Sequence, residues 1–173
     1  MKNFLLMTML LLSHHGHAQN ENNVHFSGTL VNTPCTLNLD DQSEFVDFGT
    51  IIDKYLYQYK RTNPQAFQIH LEDCDTTIGA SVSVSFTGTT DNELPGFFAL
   101  DGGGIASGIA VGIETEDGKL IRAGNESPQI PLQEGETTLH FNAIVAIKPT
   151  ALINHSLVMG SFQSTITFLL SYQ

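Results

Sequence analysis

An all-β fold is predicted by three observations. Apolar and polar residues alternate over short runs. Gly, Pro, Asn and Asp separate those runs. No apolar stripe at helical spacing persists for a convincing length. The alternation is clearest in residues 160–173, where Phe162, Ile166, Phe168, Leu170 and Tyr172 occupy even positions and Ser164 is the one polar member of the row. A period of two with this content reads as a strand with one buried face. Nothing follows the strand to cover it, so the sheet is expected to accept a strand from elsewhere.

Taken in order, residues 24–31 form a first run with Val24, Phe26 and Leu30 on one side. Residues 66–71 carry Phe67, Ile69 and Leu71 in phase and lead to Cys74. Residues 80–86 set Val82, Val84 and Phe86 against Ser81, Ser83 and Ser85. Ile109, Val111 and Ile113 mark the next run, and Leu139, Phe141, Ala143, Val145 and Ile147 mark the longest, 137–147. The terminal strand is expected over 162–172. Pro95-Gly96 and Asp101-Gly102-Gly103-Gly104 predict a flexible crossover, Asp117-Gly118 a tight hairpin, and 148–155 a loop. Six principal strands in this pattern suggest an immunoglobulin-like sandwich, which needs about seven.

The N-terminus reads as a secretory signal over 1–18. Lys2 begins it, an apolar stretch from Phe4 to Leu12 follows, and Gly16-His17-Ala18 offers small-x-small cleavage. That apolar run is too short to span a bilayer, and no later stretch reads as a membrane span. The chain has 18 acidic and 7 basic side chains; loss of Lys2 leaves 18 against 6, a net charge of −12. This balance argues against nucleic acid and anionic membranes as partners. Cys35 and Cys74 are the only two cysteines. In an exported protein they are expected to form a disulfide, stabilising the fold by about 4 kcal/mol. The rival use, a metal site with His70, lacks further ligands at usable spacing.

No enzyme constellation is present: the sequence has no nucleophile elbow, phosphate-binding loop or paired zinc motif. His14, His15 and His17 fall in the segment to be removed, and His25, His70, His140 and His155 are scattered on strands and loops. Glu114, Glu116 and Asp117 could gather around Ca²⁺, but an exposed acidic hairpin accounts for them better. No catalytic residue, metal or cofactor is expected.

The residues resemble the pilin subunits of the bacterial chaperone–usher pathway across the whole mature chain. The resemblance rests on Phe26-Ser27-Gly28-Thr29-Leu30-Val31 followed by Cys35, on the stretch from Phe67 to Cys74, and on Val84-Ser85-Phe86-Thr87-Gly88. Further matches are the stretch from Gly108 to Ile113, Leu139-His140-Phe141-Asn142-Ala143, the penultimate Tyr172, and Gly160 fourteenth from the end. It implies an incomplete immunoglobulin-like β-sandwich lacking the seventh strand and completed by donor-strand complementation. A periplasmic chaperone lends the strand first. An outer-membrane usher then exchanges it for the arm of a neighbouring pilin, building a head-to-tail surface fimbria that supports cell adhesion.

Carried onto this chain, the resemblance implies a donor arm over 19–29 ahead of a pilin domain over 30–173. Asn22, Val24, Phe26, Gly28 and Leu30 form the donor row. Gly160, Phe162, Ser164, Ile166, Phe168, Leu170 and Tyr172 form the acceptor strand that meets chaperone and donor, and the Gln173 carboxylate resembles the group a chaperone anchors. The arm ahead of Gly28 is short and the 92–96 loop is similar to that of minor or adaptor subunits. The alternatives are a major rod pilin, or a self-sufficient secreted β-sandwich that binds a carbohydrate or small ligand.

Overall fold

The computed structural model describes residues 32–43 and 45–173. The expected signal peptide, the arm over 19–29, the donor row Asn22, Val24, Phe26, Gly28 and Leu30, and the first run 24–31 lie outside the described residues. Among the described residues there are eight strands: β1 (Thr36–Leu37), β2 (Gln65–Cys74), β3 (Ser81–Gly88), β4 (Ile109–Thr115), β5 (Leu120–Ile121), β6 (Ile130–Pro131), β7 (Gly135–Ile147) and β8 (Ile166–Tyr172). They form two antiparallel sheets, ordered β1-β2-β7-β4-β5 and β6-β3-β8. No helix among the described residues is long and apolar enough to cross a membrane.

The even–odd pattern dictates what faces inward. On β7, Leu139, Phe141, Ala143, Val145 and Ile147 are all buried. Register pairs Phe67 with Phe141 and Ile69 with Leu139 across β2, and Val111 with Val145 across β4. From the second sheet Phe86 meets the Phe141 ring edge-on at 5.2 Å, an arrangement favoured by the ring quadrupoles. The β2–β7 register shifts between Leu71 and Cys74. Cys74 there joins Cys35 in a disulfide that spans 39 residues.

Several local features depart from the sequence reading. Residues 148–155 are not a plain loop but contain helix α2 (Pro149–Asn154), with Pro at its start and His155 closing it in the left-handed conformation. Helix α1 (Asp53–Tyr59) was not expected either; it buries Leu56 and ends on left-handed Lys60, whose N–H returns to the Leu56 carbonyl. Both are too short to show a sustained apolar stripe. Ser83 and Ser85 are buried although they sit opposite the apolar row of β3. The Ser83 hydroxyl donates to the Glu126 carboxylate at 3.0 Å, which satisfies it. The terminal strand begins at Ile166, not Phe162.

The hairpin at Asp117-Gly118 forms as expected, with Gly118 at φ 80°. Its acidic residues do not behave as one exposed group. Glu114 is buried and takes a bidentate pair of hydrogen bonds from Arg61, at 2.7 and 2.8 Å. Asp117 instead turns to Lys119 and the Thr115 hydroxyl. Among the described residues no three His, Cys, Asp or Glu side chains converge as metal ligands.

Candidate functional site

The first sheet ends on β1 and the second on β8. Between these two edges lies a groove of about 820 Å³. One side is residues 160–168. The facing side is Leu37 of β1 and residues 45–49, and Phe67, Phe86, Val111, Ile113 and Ala143 form the apolar floor. Strand β8 pairs with β3 along one edge, from Val82 opposite Tyr172 to Gly88 opposite Ile166. Among the described residues no strand pairs with its other edge.

The alternation in this segment is visible in the burial. Phe162, Ser164, Ile166, Phe168 and Leu170 are half-buried, whereas Ser161, Gln163, Thr165, Thr167 and Leu169 are exposed. Ile166, Phe168, Leu170 and Tyr172 pack against the main core. Phe162 packs against a second cluster built around Leu56, Val145 and Ile147. Burial raises the Tyr172 phenol above its ordinary pKa.

Of the residues expected in the groove, Gly160, Phe162, Ser164, Ile166 and Phe168 line it. Leu170 and Tyr172 lie beyond that lining. A main-chain carboxylate oxygen of Gln173 accepts the Ala80 and Ser81 N–H groups at 2.7 and 3.1 Å. Gly160 has φ 154°, and a Cβ there would sit 2.6 Å from the Ile105 Cβ. Both the backbone and the close approach therefore demand glycine.

The facing wall was missed in sequence. Phe45, Val46 and Phe48 surround Asp47 without a clean period, so no strand or helix pattern marked them. Phe48 reaches across to Phe162, ring centroids 6.1 Å apart. The histidines take local roles. His70 Nδ1 lies 3.0 Å from the buried Asp41 carboxylate, His140 meets Gln68, and His155 stacks near Tyr57.

The groove is apolar at its base and bordered by a backbone edge that is unpaired among the described residues. That combination suits main-chain pairing with an extended segment whose alternate side chains are apolar. A family model described as fimbrial protein matches residues 24–173. The chain is 32% identical over 156 residues to the major MR/P fimbria protein of Proteus mirabilis (strain HI4320), covering 90% of this chain and 86% of that one. It is 31% identical over 156 residues to the fimbrial adapter PapK of Escherichia coli, covering 87% of each. It also resembles a subunit in the solved structure of a chaperone–usher pilus, with TM-score 0.69 and 26% identity over 90% of this chain and 97% of that one.

Proposed function

The chain belongs to the fimbrial protein family as a structural pilin of the chaperone–usher type, and from that premise we propose that the groove beside β8 is its strand-acceptor site. The fold is the incomplete immunoglobulin-like sandwich of these pilins, which lacks the seventh strand of the complete immunoglobulin fold (not β7 of this chain). A periplasmic chaperone fills the groove first, and the arm of a neighbouring pilin replaces it at an outer-membrane usher on the way to the cell surface. This chain in turn lends its arm, residues 19–29 after removal of 1–18, together with Leu30 at the first position of the domain, so that Asn22, Val24, Phe26, Gly28 and Leu30 are directed into the neighbour. The domain proper is 30–173.

The observation that carries this reading is the half-buried row of Ile166 and Phe168 beside an apolar groove, on a strand with one unpaired edge among the described residues. Each large apolar side chain that an incoming strand buries there contributes about 1.5–3 kcal/mol. Gly160, Phe162, Ser164, Ile166 and Phe168 meet it directly, while Leu170, Tyr172 and Gln173 form the chaperone-facing end. The nine residues from Gln19 to Ser27 make a short arm, which supports a minor or adaptor position. Similarity to a major protein and to an adaptor is nearly equal and takes no side between them.

The test is thermal unfolding of the mature chain with and without a peptide of residues 19–31 supplied in trans. A rise in midpoint with peptide, lost in a peptide carrying Phe26→Arg, is the expected result. A high midpoint indifferent to peptide favours a self-sufficient sandwich that binds a small ligand.

A further inference from the structure

The two ends of the groove wall are held by different means. From Ile166 to Tyr172 the wall is laddered to β3. Beyond Gly88, β3 no longer pairs with it, and residues 161–165 hang on the 99–106 loop instead. The Ile105 and Ala106 N–H groups both donate to the Ser161 carbonyl, at 2.9 and 3.1 Å, and the Asp101 N–H donates to the Gln163 carbonyl at 2.8 Å. The Ser164 hydroxyl donates to the Ala99 carbonyl at 2.9 Å, and the Thr165 hydroxyl to the Asp101 carboxylate at 2.7 Å.

Two glycines bring these strands of chain together. Gly160 accommodates Ile105, as described above. Gly104 abuts the wall in return: a Cβ on it would lie 2.7 Å from the Ser161 oxygen and 3.2 Å from the Phe162 Cα. Phe162 is the residue that faces Phe48 across the groove. The loop therefore fixes how far Phe162 projects.

We propose that Asp101 and Gly104 are positioning residues for strand acceptance: they set the place of Phe162 and so determine how readily the Gly160 end of the groove takes an incoming strand. This rests on the acceptor-groove reading above. Both residues act through the wall and need not touch the incoming strand.

The experiment measures the rate at which the full mature chain captures a synthetic peptide of residues 19–31, followed by native mass spectrometry, together with amide hydrogen exchange of the loop donors Asp101, Ile105 and Ala106 and of residues 167–172. Gly104→Val and Asp101→Ala are each expected to change the capture rate at least about tenfold. They should lower protection of the Asp101, Ile105 and Ala106 amides while leaving 167–172 as in the unaltered chain. Asp101→Asn, which keeps an oxygen acceptor for Thr165, is expected to restore the rate. Thr165→Val offers a milder version at an exposed position, in case Gly104→Val does not fold. Equal capture by the unaltered chain and by Asp101→Ala and Thr165→Val overturns the loop's role and leaves the groove reading standing. Loss of protection spread evenly over the loop amides and 167–172 also overturns it, because the effect would then be general. Absence of capture by the unaltered chain overturns the groove reading, and this one with it.

Discussion

Strands β7 and β8 carry the same written pattern and meet different fates. On β7 every member of the apolar row from Leu139 to Ile147 is buried, with Phe141 at 2% exposure. On β8 the row of Ile166, Phe168, Leu170 and Tyr172 is only half-buried, and Leu169 on the other side is 62% exposed. The difference is one of neighbours. β7 lies between β2 and β4, whereas β8 has β3 alone among the described residues. Alternation states which side chains share a face; it does not state whether that face is closed.

The largest contrast is expected from truncating an aromatic ring on each strand. Phe141→Ala should cost about 3–5 kcal/mol in urea unfolding, the usual range for emptying a filled core. Phe168→Ala should cost about 1 kcal/mol in the isolated chain, near half the value of a full burial. Its cost should grow when a 19–31 peptide is bound. Equal costs for the two substitutions without peptide would erase the distinction between a closed and an open face.

Removing the disulfide with Cys74→Ala should cost about 4 kcal/mol under oxidising conditions, by the loop-entropy relation for a 39-residue separation. It acts on the β2 side of the sandwich, so peptide capture at β8 should survive wherever the variant remains folded. Capture abolished in a folded Cys74→Ala chain would show the two edges to be coupled.

The smallest effect is a pH dependence at the end of β8. Burial raises the Tyr172 phenol, so the folded chain holds that proton more tightly than the unfolded one. The contribution is intact below the unfolded value of about 10 and is lost as pH rises through the higher folded value. Denaturation midpoints measured in alkaline buffers should fall more steeply for the native chain than for Tyr172→Phe. Parallel slopes would mean that the phenol ionises as freely in the fold as outside it.

Much of the frame is legible in the sequence. The runs at 66–71, 80–86, 109–113 and 137–147 match β2 to β4 and β7 to within two residues at each start, because half-buried strands repeat every two residues. With two cysteines in an exported chain the bridge from Cys35 to Cys74 outweighs the rival metal site with His70, which lacks further ligands, and Gly160 stands out by its place in a family pattern. Helices α1 and α2 escaped because one or two turns cannot display a stripe. Glu114 looked like part of an exposed acidic turn because its partner, Arg61, is 53 residues away.

The groove illustrates the division best. The phase of Phe162, Ile166, Phe168, Leu170 and Tyr172 follows from residue order alone, since side chains two apart on an extended chain point the same way. That β8 starts at Ile166, that residues 160–165 are held by the 99–106 loop, and that residues 45–49 face them are outcomes of packing. Each depends on contacts between segments far apart in the chain. Local periodicity carries no record of which distant backbone comes close enough to supply a hydrogen bond or close a face.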